Sequence, residues 1–145
     1  GSEYKTYPNN YQKELVSWLF KNDFDIVLGS HPHVLQPMET QNINNKKKFV
    51  IYSLGNFISN QRSKYRDSSI ILEINLKKNF LNGKTDLKNI NYYPTWVYRY
   101  YDENRYNYKI LLSEKNYEFI PESINKKMKN TIELTKEIFK KIKAQ

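Results

Sequence analysis

The spacing of apolar residues predicts a helix at each end of the chain, with strands between them. In the first helix, over residues 10–21, the apolar positions are Tyr11, Leu15, Trp18 and Leu19. These positions recur every three or four residues while charged residues fill the opposite side, which is typical of an amphipathic helix. We expect Asn9 or Asn10 to cap it, residues 22–23 to end it and Trp18 to pack in the core.

The second helix is predicted over residues 120–143. Pro121 occupies a permitted first-turn position, and Glu137 is spaced to pair with Lys141. Its apolar stripe is Ile124, Met128, Thr131, Ile132, Thr135, Phe139 and Ile142. The stripe is thin and interrupted by threonines, so it indicates a helix that faces a protein core and not one that binds a membrane.

Between the helices, β-rich runs alternate with polar segments. The predicted strands are residues 24–28, 49–54, 69–76, 86–99 and 106–112. Residues 41–48 are expected to form a surface turn, residues 60–68 an exposed and mobile loop, and residues 77–84 a hairpin loop longer than two residues. Pro94 favours an edge position or a bulge for its strand.

Together these elements predict an α+β protein, mostly strands, with an amino-terminal and a carboxyl-terminal helix. A chain of 145 residues suits one domain, so we expect residues 1–145 to form a single unit. Residues 1–2 are either a tag remnant or native sequence. Cysteine is absent, which excludes disulfides and thiolate zinc sites. No apolar run reaches the length of a membrane-spanning helix.

The charge balance is strongly basic, with 24 Lys and Arg against 15 Asp and Glu and a formal net charge of +9. Such a surface attracts polyanions, among them nucleic acid, anionic lipid and acidic polymers. The lysines are spread along the chain and are not accompanied by an aromatic-basic motif. We therefore expect a solvated basic surface and no nucleic-acid partner.

The two histidines of the chain, His31 and His33, follow the apolar run of residues 24–28. We expect a buried strand there, a sharp turn at Gly29, and two imidazoles on one face of an extended segment held stiff by Pro32. Neutral imidazoles at this spacing can bind one metal ion or two adjacent ions. The alternative is a structural loop whose imidazoles are hydrogen-bonded, because two histidines supply at most half of a tetrahedral shell.

Further ligands cannot be assigned from the residues alone. The nearby oxygen donors are Glu3, Asp23, Asp25, Glu39 and Asn56. Asp23 and Asp25 lie at the start of the strand, too far from its end to share a metal with His31 at roughly 3.3 Å per residue.

Two sequence blocks stand out, residues 29–36 (GSHPHVLQ) and residues 50–57 (VIYSLGNF). They resemble blocks of the capsule-biosynthesis CapA/PgsA family, which is associated with bacterial poly-γ-glutamate production. Residues 1–4 (GSEY) and residues 93–97 (YPTWV) are similar to two further blocks of that family, so the resemblance covers about residues 1–100.

This resemblance implies a fold and a site. The family is similar to calcineurin-like metallophosphoesterases, four-layered αββα sandwiches with a two-metal site. The chain is similar to the carboxyl-terminal half of such a sandwich. His31 and His33 match metal ligands, for Mn, Zn or Fe, and the expected lining residues are Ser30, Gln36, Asn56 and Glu3.

The resemblance also implies that activity requires a further part of the family's sequence. The amino-terminal half of the family, with its other motifs, has no counterpart here. We therefore expect the chain alone to be inactive and to bind a divalent metal weakly or not at all. We expect its partner to be that half or a second copy, covering exposed apolar surface. The family implies a location at the extracellular face of a bacterial membrane, reached through an anchor outside this chain.

Two functions follow as hypotheses. The first is a part of a capsule or poly-γ-glutamate biosynthesis protein with a metallophosphoesterase-like site. The second is a non-catalytic accessory subunit that binds or guides an anionic polymer. Binding of polyglutamate that is salt-sensitive and survives His31→Ala would indicate the second.

Overall fold

The computed structural model describes residues 1–140 and contains two helices and six strands. In chain order they are α1 (Asn10–Lys21), β1 (Ile26–Leu28), β2 (Leu35–Ile43), β3 (Lys46–Leu54), β4 (Ser68–Lys78), β5 (Thr85–Asp102), β6 (Arg105–Leu112) and α2 (Glu122–Lys140). The α+β class is confirmed, whereas the αββα sandwich stays a prediction. The end of the predicted second helix and its Glu137–Lys141 pair lie outside the described residues.

The strands form two sheets of three. The first sheet has the order β1-β3-β2, in which β1 runs parallel and β2 antiparallel to β3. The second sheet is antiparallel, with the order β4-β5-β6. One apolar cluster joins the two sheets and α2 through Ile51 of β3, Ile70 of β4 and Ile138 of α2. The strand β1 has no second neighbour among the described strands, so its outer edge is unpaired.

Helix α1 begins as predicted but presents a different face to the core. Asn9 is its N-cap and forms a capping box with Gln12. The buried residues are Val16 and Phe20, while Trp18 is 57% exposed. The prediction that Trp18 packs in the core is wrong. Apolar side chains surround this helix, so spacing alone cannot choose which side the sheet covers.

The strand that precedes the histidines is shorter and less buried than predicted. Only residues 26–28 are extended, and Leu28 is 53% exposed because it lies on the unpaired edge. Gly29 does not make the turn. Its N–H donates to the Ile51 carbonyl at 2.8 Å, and a Cβ placed there would lie 2.2 Å from the Tyr52 carbonyl oxygen. Glycine is needed for close approach to β3.

Two predicted loops are more ordered than expected. Residues 41–48 belong to a hairpin of β2 and β3 that turns at Asn44 and Asn45, both with positive φ, so the surface turn is shorter than predicted. Residues 60–68 are anchored to β5. Asp67 is only 7% exposed and accepts a hydrogen bond from the Trp96 indole at 3.0 Å. Arg62 donates to the Val97 carbonyl at 2.7 Å.

Pro94 lies in the central strand of the second sheet and not at an edge, because β5 pairs with β4 on one side and β6 on the other. The Pro94 carbonyl accepts from Ser113 just beyond the end of β6. In an antiparallel ladder the N–H and C=O of one residue point to the same side. The N–H that proline lacks would therefore point past β6, and no ladder bond is lost.

None of the described helices is both long and apolar enough to cross a membrane.

Candidate functional site

The histidine loop, residues 30–34, connects the end of β1 to β2 through an unusual backbone. His31 has a φ of 95° and His33 a φ of 59°. Positive φ is uncommon for residues other than glycine and costs on the order of 1–2 kcal/mol each. The segment is therefore not extended as predicted. Strain of this kind persists only where the surrounding structure holds it, and it clusters at functional sites.

The two imidazoles nevertheless lie near each other. Their ring centroids are 6.3 Å apart and their planes are inclined at 46°. Two imidazoles on one tetrahedral zinc ion, with Zn–N bonds of about 2.1 Å, have centroids roughly 5 Å apart. The observed spacing is longer, so the two rings as they stand do not have the spacing of two ligands on one tetrahedral ion.

The orientation of His33 is set by Asn56. The Nδ1 atom of His33 lies 2.9 Å from the Asn56 side-chain oxygen. The Asn56 amide nitrogen donates to the Arg66 carbonyl at 3.0 Å and to the Gln61 side chain at 3.2 Å. These two bonds orient the amide so that its oxygen faces His33 and can only accept. His33 must then carry its proton on Nδ1, which leaves Nε2 with a free lone pair.

Asn56 reaches this position because Gly55 turns the chain directly after β3. Gly55 has a φ of 75° and bridges to Ser69 of β4. A Cβ there would lie 3.0 Å from the Ser68 carbonyl oxygen. The Gly-Asn pair therefore ends the strand and aims the amide at the histidine loop.

The amino-terminal segment closes one side of the loop. The N–H of Tyr4 donates to the Pro32 carbonyl at 2.8 Å, and its ring centroid lies 6.0 Å from that of His33. The guanidinium carbon of Arg66 lies 3.4 Å from the centroid of the Tyr4 ring. Tyr4 and Arg66 are thus neighbours of the histidines, although the sequence did not single them out for the site.

The remaining predicted lining residues occupy different surroundings. Gln36 is fully buried, and its amide donates to the carbonyls of Lys5 and Tyr7 while its oxygen accepts from Gln12. It anchors the amino-terminal segment that carries Tyr4. Ser30 is exposed and borders a small cavity between α1 and the first sheet. Glu3 is exposed beside Tyr4.

Two imidazoles are the nitrogen donors of this region. His33 has a free Nε2, and His31 is exposed beside it. Within residues 1–140, no three His, Asp or Glu side chains come together as a metal-binding group. The fit of this region to a metal ion therefore rests on two imidazole donors.

Fold and site together describe an α+β protein with a strained histidine pair at the carboxyl end of a parallel strand. Residues 1–61 match the family model of the bacterial capsule synthesis protein PGA_cap. The chain is 40% identical over 80 residues to the PGA biosynthesis protein CapA of Bacillus subtilis (strain 168), an alignment that covers 54% of this chain and 20% of that protein. It is 33% identical over 79 residues to the capsule biosynthesis protein CapA of Bacillus anthracis, with 54% and 18% covered.

The resemblance to the CapA family is therefore confirmed, and it rests on about the first half of the chain. The matched stretch spans about a fifth of the length of these curated relatives. Comparison with solved structures gives no significant match.

Proposed function

We propose that this chain contributes two metal ligands, His31 and His33, to a metallophosphoesterase-like site of a capsule-biosynthesis protein. The proposal includes a location at the extracellular face of the bacterial membrane and a polymer-related substrate. A metal bound by this pair, Mn, Zn or Fe, would supply Lewis-acid chemistry toward a phosphoester or amide.

The observation that carries the proposal is the hydrogen bond between His33 and Asn56 at 2.9 Å. Metal-binding histidines usually donate their other ring N–H to a fixed acceptor, which selects the tautomer and the ring orientation. Asn56 has this relation to His33 and belongs to the second block of the family resemblance. The bond uses Nδ1 and leaves Nε2 free, and the exposed imidazole of His31 lies 6.3 Å away, measured between ring centroids.

Nitrogen-15 NMR of the imidazoles tests the tautomer directly. We expect wild-type His33 to be protonated at Nδ1, and we expect Asn56→Leu to lose this preference. Zn²⁺ should shift the Nε2 resonance of His33 in the wild type, and protonation at low pH should reverse the shift. Asn60→Leu, in the adjacent loop, is a matched control and should leave the tautomer unchanged. An Nε2-protonated His33 in the wild type would refute the proposal.

Affinity provides a second test. Only two ligands are present among the described residues, so calorimetry with Mn²⁺ or Zn²⁺ should show weak binding to the chain alone. Tight stoichiometric binding that is lost in His31→Ala would contradict the expectation that further ligands come from elsewhere.

The missing ligands require a partner, and one face of the molecule is suited to it. The α1–β1 face consists of exposed apolar residues, which are Tyr11, Leu15, Trp18, Phe24 and Leu28. It adjoins the unpaired edge of β1, and parallel sheets are normally covered on both faces and continued at their edges. Since the relatives are about five times longer than the matched stretch, we propose that another segment of a CapA-like polypeptide covers it.

Light scattering on the chain alone tests this face, because uncovered apolar surface promotes association. We expect self-association at high concentration and its reduction in a Trp18→Glu variant. Phe80→Glu, which changes an equally apolar exposed residue in the β4–β5 turn, is the control and should have no effect. A concentration-independent monomer in the wild type would count against the docking face.

A second candidate, the accessory polymer-binding subunit, is favoured by a surface of the second sheet. Lys109 lies over two aromatic rings, 5.0 Å from Tyr100 and 5.1 Å from Phe119. No carboxylate of the described residues forms an ion pair with it. Salt-sensitive binding of polyglutamate that survives His31→Ala and weakens in Lys109→Gln would support this function.

A further inference from the structure

We infer that Arg66 is the oxyanion-binding residue of the histidine site, and that the substrate presents a phosphate or carboxylate group there. This inference rests on the proposed function, since it names the substrate class of the same site. It assigns a role to a residue in a segment that the sequence predicts to be an exposed loop.

Arg66 is tied to the histidines by two routes. Its backbone carbonyl accepts a hydrogen bond at 3.0 Å from Asn56, the same amide that orients His33. Its guanidinium carbon lies 3.4 Å from the centroid of Tyr4, whose ring is 6.0 Å from that of His33. Both its main chain and its side chain are therefore positioned by residues that contact the histidine loop.

The donors of Arg66 are available to a ligand. Stacking on a ring uses the face of the guanidinium plane, and the five N–H groups lie at its edges. Among the side-chain hydrogen bonds and ion pairs of residues 1–140, none involves the Arg66 guanidinium. The two neighbouring arginines differ, because Arg62 donates to Val97 and Arg99 donates to Asn60. Arg66 is therefore a half-buried cation that forms no ion pair with a carboxylate of residues 1–140.

An arginine fixed in this manner selects oxyanions. Its planar fork matches the two oxygens of a carboxylate or phosphate, and stacking on Tyr4 fixes the plane before the ligand arrives. Partial burial reduces the screening that weakens exposed charge pairs. The Tyr4 ring under the guanidinium is 6.0 Å from the His33 ring, measured between centroids, so we infer that an anionic group bound by Arg66 is placed near the imidazoles.

The test is an NMR titration of the metal-free chain, in chelator, with inorganic phosphate and separately with glutarate. We expect binding of at least one anion, with affinity reduced about tenfold or more in Arg66→Gln, since charge-assisted pairs are the strong ones. Arg99→Gln removes the same charge at a site already hydrogen-bonded and should leave the affinity unchanged. Stronger binding of phosphate would indicate a phosphoester substrate, and stronger binding of glutarate a carboxylate polymer.

Two further variants separate stacking from charge. Tyr4→Phe retains the ring and should bind as the wild type does, whereas Tyr4→Leu should bind several-fold more weakly. The inference is overturned if neither anion binds the wild type, if Arg66→Gln binds equally well, or if Arg99→Gln loses as much. Zn²⁺ binding should persist in Arg66→Gln. If Arg66→Gln loses anion binding but keeps Zn²⁺ binding, the role of Arg66 is tested separately from the proposal that His31 and His33 bind metal. The tautomer of His33 tests that metal proposal independently.

Discussion

The histidine loop region and the second sheet differ in what holds them in place. The loop depends on single side-chain contacts, namely Asn56 to His33, Tyr4 to Pro32 and Gln36 to the amino-terminal segment. The second sheet depends on continuous antiparallel ladders, eleven residue pairs between β4 and β5 and eight between β5 and β6. The loop has two histidines at positive φ, whereas the second sheet is regular apart from one register shift between β4 and β5, at Asn75 and Leu76.

The difference follows the extent of the family match. The loop lies within residues 1–61, the part that matches the capsule family model, and its backbone is strained. The second sheet lies beyond that match and consists of regular pairing around a buried tryptophan. Strained, polar regions are the ones expected to bind ligands, and regular regions are expected to supply the stability that holds them.

The strongest test of this contrast is Gly29→Ala. A Cβ at residue 29 would lie 2.2 Å from the Tyr52 carbonyl oxygen, so β1 must separate from β3. We expect a loss of about 3 kcal/mol or more in the free energy of unfolding, measured by urea denaturation. Gly83→Ala is the control, because Gly83 has no atom within 4 Å of its Cβ position, so an alanine there meets only the strain of its φ of +70°. A loss in Gly29→Ala no greater than in Gly83→Ala would show that β1 moves freely.

The second sheet should respond to Trp96→Phe. The substitution removes the indole N–H that donates to Asp67 at 3.0 Å. The Asp67 carboxylate, in a residue that is only 7% exposed, then keeps Arg62 as a neighbour at 3.8 Å. We expect a loss of about 2 kcal/mol from the unmet hydrogen bond and the smaller side chain. If Asp67→Asn in the Trp96→Phe background restores no stability, the carboxylate is not the cause.

These contacts also explain what the sequence could and could not predict. Strands β3, β4 and β6 and both helices follow from local pattern, because each is either a short β-rich run or an apolar repeat at helical spacing. Strand β2 was missed, since residues 35–43 contain Pro37 and a polar half that no alternation marks. Helix α1 was found but its buried face was not, since Val16 and Phe20 compete with an equally apolar opposite side.

The candidate site likewise contains residues that the sequence predicts and one residue that it does not. His31, His33 and Asn56 follow from motifs, because their residue types and spacing are local features of the chain. Arg66 follows from none, because it reaches Tyr4 only when residues 60–68 fold back along β5. The two anchoring contacts, Arg62 to Val97 and Asp67 to Trp96, join residues about 30 positions apart, which local pattern does not encode.

Substitution of His31 should reveal strain within the loop. At a φ of 95°, alanine retains the unfavourable Cβ contacts and glycine removes them. We expect His31→Gly to be about 1 kcal/mol more stable than His31→Ala in urea denaturation, while both lose metal binding equally. As a control, Ser30→Gly and Ser30→Ala lie at an adjacent residue without positive φ, where glycine should be the less stable. Equal stability of the two His31 variants would mean that the loop carries no backbone strain.

The smallest effect is expected at the start of β1, which Asp25 directly precedes. Partial burial acts to raise the pKa of Asp25, but Lys46 at 2.6 Å and Lys48 at 3.4 Å outweigh it, and the net pKa is below the ordinary 3.8. A group whose folded-state pKa is lowered contributes stability above the unfolded-state pKa, and this contribution is lost as the pH falls through the folded-state pKa.

Asp25→Asn should therefore be less stable at pH 7 by under about 1 kcal/mol, a small figure because the carboxylate is partly exposed and screened. In acid titrations of stability, the difference from wild type should shrink as the pH falls below 3.8 and vanish once the pH is below the lowered folded-state pKa. Asp86→Asn, which removes an exposed ion pair with Lys88, is the control and should show a smaller loss of stability at pH 7. An equal loss in Asp25→Asn and Asp86→Asn would mean that Asp25 adds nothing to the stability of the β1 region.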